Sequence, residues 1–177
     1  SRIFAERQLQ LAQKLEDRWF ELVGFSHLSL AYKYKGEYQN ALENELRSLE
    51  IAREDGFDGS IPTSLSAIGI LYKRLGDLER AEPFFLEAIE LNQRLDKKVL
   101  LSGNYNNYGT LLDDMKRHDE ALAAYEKAAA VAKVAGREDR YQLAQDNIGS
   151  LYLDMGELEK ARPYVMAGLA YAEEQGD

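Results

Sequence analysis

The sequence predicts an all-α protein, a solenoid of antiparallel helix pairs, and three observations carry that expectation. Helix formers dominate a chain of 177 residues that is 45% hydrophobic and holds only three prolines, whereas a sheet protein would be enriched in Val, Ile and Thr. Apolar residues recur at spacings of three and four, as in Leu65, Ile68, Leu71, Tyr72 and Leu75, which is the period of a helix face and not of a strand. Finally, the sequence repeats itself every 40 residues: Ser29, Gly69, Gly109 and Gly149 fall in register, as do Ala41, Ala81, Ala121 and Ala161.

Each element follows from those columns. Residues 1–17, with Phe4, Leu9, Leu11, Ala12 and Leu15, align with second helices and read as the second helix of a truncated repeat. Four repeats follow, 18–57, 58–97, 98–137 and 138–177, which together make one domain over 1–177. In repeats one, two and four the first helix ends near a glycine (Gly36, Gly76, Gly156), where a left-handed cap turns the chain back. An acidic residue then favours the next helix N-terminus. Second helices are expected near Glu37, Asp77, His118 and Glu157, for nine helices in all. Repeat three carries Lys116 where the others have glycine, so its turn is expected to be the least regular. Pro83 and Pro163 are expected to kink their helices or delay their start, because proline removes an amide donor and crowds the carbonyl four residues back. The small residues at 29, 69, 109 and 149 allow close helix approach. Stacked pairs share one elongated core and curl around a concave side.

The stretches from Ile68 to Ala81 and from Ile148 to Ala161, each with the packing glycine, the tyrosine, the turn glycine and the alanine in order, resemble tetratricopeptide repeats. The family's common unit is shorter. A 40-residue period is similar to that of kinesin light chains, Pins-type adaptors and bacterial signalling proteins. The resemblance implies a right-handed superhelical solenoid that holds a peptide or helix of a partner protein in its concave groove. It equally suits a sensory or regulatory segment of a multidomain signalling protein. Because the chain opens mid-repeat and stops at Asp177 without a capping helix, it reads as a fragment of a longer protein. Val165, Leu169 and Ala172 are expected to be exposed on the last helix, and self-association through uncapped ends is a further expectation.

A formal charge of −9 argues against nucleic acid and against anionic membrane surfaces, both of which require clustered Lys and Arg. No apolar run approaches the length of a membrane span. The absence of cysteine removes thiolate chemistry and suits a reducing, cytoplasmic setting. No nucleophile and base, phosphate loop or metal-ligand spacing is present, so neither an enzyme nor a cofactor is expected. His27 reads as a partly buried structural histidine or a groove contact, and His118 as part of a solvated turn.

The residues expected to face the groove are Lys33 and Tyr34 in repeat one and Lys73 and Arg74 in repeat two. Repeat three contributes Asn106, Asn107, Asp113 and Asp114, and repeat four Asp146, Asn147 and Asp154. Basic groups thus give way to acidic ones. Asn107 and Asn147, one period apart, carry amides able both to donate to and to accept from a peptide backbone. Hydrogen bonds to neighbouring helices would explain them equally.

Overall fold

The computed structural model describes residues 2–176; Ser1 and Asp177, the expected outer limits of the first and last repeats, lie outside the described residues. Among these residues are nine helices: α1 (Arg2–Lys14), α2 (Arg18–Tyr34), α3 (Tyr38–Glu54), α4 (Ile61–Arg74), α5 (Leu78–Arg94), α6 (Lys98–Asp114), α7 (His118–Val134), α8 (Glu138–Asp154) and α9 (Leu158–Gln175). None is long and apolar enough to cross a membrane. The chain divides into two compact units, Ser1–Ala88 and Ile89–Asp177.

In the first unit, α1 and α2 pack antiparallel. Gln13 meets Glu21, Leu9 meets Gly24 and Gln8 meets His27, so contacts advance along one helix as they retreat along the other. Asp17 caps α2 by accepting from the Phe20 amide at 3.1 Å, and Arg18 ties the start of α2 to Glu54 and Asp55 at the end of α3. Leu22, Ile51 and Ala52 bury a core between α2 and α3, closed by Phe25, Phe57 and Ile61. Helix α4 begins three residues later than the period predicts. Its Pro62 then falls in the first turn, where a missing amide breaks no helical bond.

The second unit repeats this plan with aromatic filling. Leu112, Ala121, Tyr125, Ile148 and Leu151 form its main core, with Tyr108, Tyr152 and Tyr164 packed against it. Gly109 is required here, since a Cβ would lie 2.6 Å from the Tyr125 ring; in the first unit a Cβ on Gly69 would lie 2.9 Å from Phe85.

All four turns between first and second helices have one geometry. The amides of Glu37, Asp77, Arg117 and Glu157 each bond the carbonyl five residues back, and those of Gly36, Gly76, Lys116 and Gly156 the carbonyl three back. This is the Schellman cap. Contrary to expectation, the turn of repeat three is as regular as the others, because Lys116 adopts the left-handed conformation itself (φ 62°). A second left-handed column, Glu16, Gly56, Asp96, Gly136 and Gly176, closes the second helices at the same 40-residue interval.

The delayed start expected of the proline-containing helices is not found. Helices α5 and α9 begin in register with α3 and α7 and continue through Pro83 and Pro163. Both prolines are exposed, so the freed carbonyl lies on a side of the helix open to water, which can satisfy it.

Candidate functional site

The last residues of the four first helices are Tyr34, Arg74, Asp114 and Asp154, spaced by one period, and all four are exposed. Each unit therefore presents two of these positions on its own surface, and their chemistry differs between the units. In the first unit this surface is cationic and aromatic: Lys33 lies 6.0 Å from the Tyr34 ring centre, with Lys73 and Arg74 at the end of α4. In the second unit it is acidic. Asp114 and Asp154 stand at the C-terminal ends of α6 and α8, where the helix dipole disfavours an anion.

Asp113 is half-buried beside His118. Its Oδ1 lies 3.2 Å from His118 Nδ1, an ion pair once the imidazole is protonated, though the two are not aligned as a hydrogen bond. Burial, reinforced by Asp113 and Asp114, pushes the Tyr125 hydroxyl far above the usual phenol range. Among the described residues no group of three or more His, Asp or Glu is arranged to hold a metal ion.

The asparagines are divided. Asn147 donates through Nδ2 to Oδ1 of Asn106 at 2.8 Å, joining α8 to α6. Asn106 is buried and Asn147 half-buried. Asn107 is half-buried, and its carbonyl accepts from the Thr110 hydroxyl at 2.8 Å. Asp146 accepts from Gln142 at 2.8 Å. His27 occupies the column of Asn107 and Asn147, and like Asn147 it reaches back to a preceding helix: its Nδ1 donates to Oε1 of Gln8 at 2.9 Å. It is exposed rather than partly buried.

One feature was not legible in the sequence. Glu45 of α3 is only 5% exposed and accepts from the hydroxyls of Ser29 (α2) and Ser64 (α4). It fills the position that Phe85 and Tyr125 fill in repeats two and three. Desolvation raises its carboxyl above the ordinary range; the two serines and nearby Lys33 pull the other way. The signal lay in two departures from the repeat, Ser29 for glycine and Glu45 for an aromatic residue, which make sense only together.

The family model for the tetratricopeptide repeat matches residues 21–94, 60–134 and 100–174. The chain is a tetratricopeptide-repeat protein. This tetratricopeptide-repeat chain is 34% identical over 103 residues to the Photosystem I assembly protein Ycf3 of Rippkaea orientalis, spanning 58% of each protein. Among solved structures, BtubC (BKLC) from P. vanneervenii superposes with a TM-score of 0.87 at 27% identity, over 97% of this chain and 72% of that one. Aspartyl phosphate phosphatase F from Bacillus subtilis gives a TM-score of 0.89 at 19% identity, over 98% of this chain and 46% of that one; that likeness concerns the fold alone.

Proposed function

We propose that this chain is a non-catalytic protein-interaction module that holds an extended or helical segment of a partner protein against its first helices. The observation that carries the reading is the exposure of the last first-helix residue in every repeat, Tyr34 and Arg74 in the first unit and Asp114 and Asp154 in the second. The repeat fixes these positions but not their side chains: an aromatic residue and a guanidinium stand in the first unit and two carboxylates in the second. Lys33, Lys73, Asn107, Asp113, Asp146 and Asn147 complete the proposed surface; Asn106, expected there, is buried and holds Asn147 instead. Acidic partner groups meet the first unit and basic groups the second. The name of the Ycf3 relative, an assembly protein, suits a module of this kind. The same reading groups the helices as one domain of repeats 18–57, 58–97, 98–137 and 138–177 after an opening helix, and places the chain in the cytoplasm.

Photo-crosslinking amino acids at positions 34, 74, 114 and 154 test this, with controls at the exposed second-helix positions Gln39 and Arg162. Partner segments captured from the first set and not from the second support the surface. Capture only from the second set refutes it. Self-association is a second reading, favoured by the exposed Val165, Met166 and Leu169 of α9 and read directly by sedimentation velocity.

A further inference from the structure

Glu45 sits in the middle of α3, 5% exposed, and the polar groups around it come from two further helices of the first unit. Ser29 of α2 and Ser64 of α4, each 3% exposed, donate their hydroxyls to its carboxyl. One turn away along α2 and α3, the hydroxyls of Ser26 and Ser48 lie 2.8 Å apart, so a polar seam runs between these two helices. Lys33 follows Ser29 by four residues on α2 and therefore lies on the same helix face, one turn nearer its end. It is half-buried. Among the described residues it is the one charged side chain of α2, α3 or α4 whose field acts on Glu45, in favour of the ionised carboxylate. Lys33 also belongs to the proposed partner surface, where its Nζ lies 6.0 Å from the Tyr34 ring centre. A single ammonium thus stands between a buried acid and the place where an acidic partner group would lie.

We propose that Glu45 is a proton-linked regulator of the cationic end of the partner surface: an acidic side chain that engages Lys33 draws a proton from solvent onto Glu45, and a protonated Glu45 strengthens that engagement. This rests on the interaction-module reading and assigns its regulation. Burial already holds the Glu45 carboxyl above the ordinary glutamate range, and Lys33 is among the groups that oppose that rise. An anion on Lys33 cancels this opposition, so the bound form keeps its proton to higher pH than the free form. Linkage makes the effect reciprocal. Well below the raised value Glu45 is protonated in both forms and affinity is flat. As pH rises from the free value to the bound one, the free protein ionises first and affinity falls; above both it is flat again at its lower level.

Two measurements test this. NMR titration of isotope-labelled glutamate carboxyls reads Glu45 itself, assigned by its loss in Glu45→Gln. Lys33→Met should raise the Glu45 midpoint, and Lys33→Glu, which sets an anion there without a ligand, should raise it further, both with the helical circular dichroism of wild type. A midpoint within the ordinary glutamate range, or one indifferent to both substitutions, overturns the proposal. The second measurement is binding of rhodamine-labelled hexaglutamate to the whole chain by anisotropy, between about pH 5.5 and 8.5, where the peptide's own carboxyls (~4.3) stay ionised. At ~50 mM salt, wild-type affinity should fall ~3- to 10-fold as pH rises through the Glu45 midpoint. Glu45→Gln, uncharged at every pH, should bind throughout at the low-pH strength, and Lys33→Met should bind weakly and without that fall. If Glu45→Gln keeps the wild-type pH profile, another group such as His27 is responsible and the proposal is overturned. Hexaglutamate that binds at no pH also overturns it, because Lys33 then takes no acidic group, while the interaction module still stands or falls on the crosslinking above.

Discussion

Ser29 donates its hydroxyl to the buried carboxyl of Glu45 at the two positions where the next repeat sets Gly69 against Phe85. A hydrogen bond replaces an aromatic ring packed on bare backbone, and the helices still stack. Net desolvation raises the Glu45 carboxyl above its unfolded value, so the folded state binds the extra proton. Below the ordinary glutamate range both states are protonated and the residue contributes nothing to the pH dependence. As pH rises through the window from the ordinary value to the raised one, the unfolded chain ionises first and stability falls; above it the full penalty persists. Glu45→Gln, which keeps an acceptor for the serines, should be more stable than wild type at pH 7, with the difference vanishing near pH 4. Urea melts across pH 4–8 read this. A Gln variant less stable than wild type at pH 7 would show that the ionised carboxylate is favourable there.

Lys116 holds a left-handed conformation that its counterparts leave to glycine. That conformation costs a side-chain-bearing residue ~1–2 kcal/mol, against ~0.5–1 kcal/mol of backbone entropy lost by glycine. Lys116→Gly should therefore stabilise by ~0.5–1 kcal/mol, and Gly76→Ala should destabilise by ~1 kcal/mol, both measured as shifts in urea midpoint at constant m-value.

Gly109 lies under the ring of Tyr125, which is buried. Gly109→Ala gains ~1 kcal/mol of helix propensity but overpacks the core by ~2–3 kcal/mol, a net loss of ~1–2 kcal/mol. In a Tyr125→Leu background the same change should be close to neutral. A double-mutant cycle without coupling would mean that the ring yields freely.

Asn147 is tied to Asn106 across two first helices. Asn147→Ala would leave the Asn106 oxygen buried and unpaired, so it should lower stability by ~1–3 kcal/mol whether or not a ligand is present. Asn107→Ala, whose side-chain amide makes no such bond among the described residues, should leave thermal stability nearly unchanged. If Asn107 contacts the ligand backbone, that variant loses partner binding alone, and calorimetry beside a melt separates the two effects.

The sequence by itself determined the helices, their number among the described residues, the 40-residue register and the first set of turns, because each depends on residues a few positions apart. Periodicity of three and four decides which face is apolar, and a glycine or its absence decides where a left-handed cap is easy. Only the tertiary structure decided where polar side chains find their partners. Asn147 turns to Asn106, His27 to Gln8, Asp113 to His118, and Glu45 to Ser29 and Ser64. Most of these pairs join residues 16 to 41 positions apart on neighbouring helices. Their meeting depends on how two helices are rotated about their axes, which the repeat pattern constrains only through its apolar columns. The same limit explains Lys116 and the prolines. Local preference argued for an irregular turn and delayed helices, but the packing of the alanine column (Ala41, Ala81, Ala121 and Ala161, all buried) holds every second helix in one register, and the chain accepts the local strain.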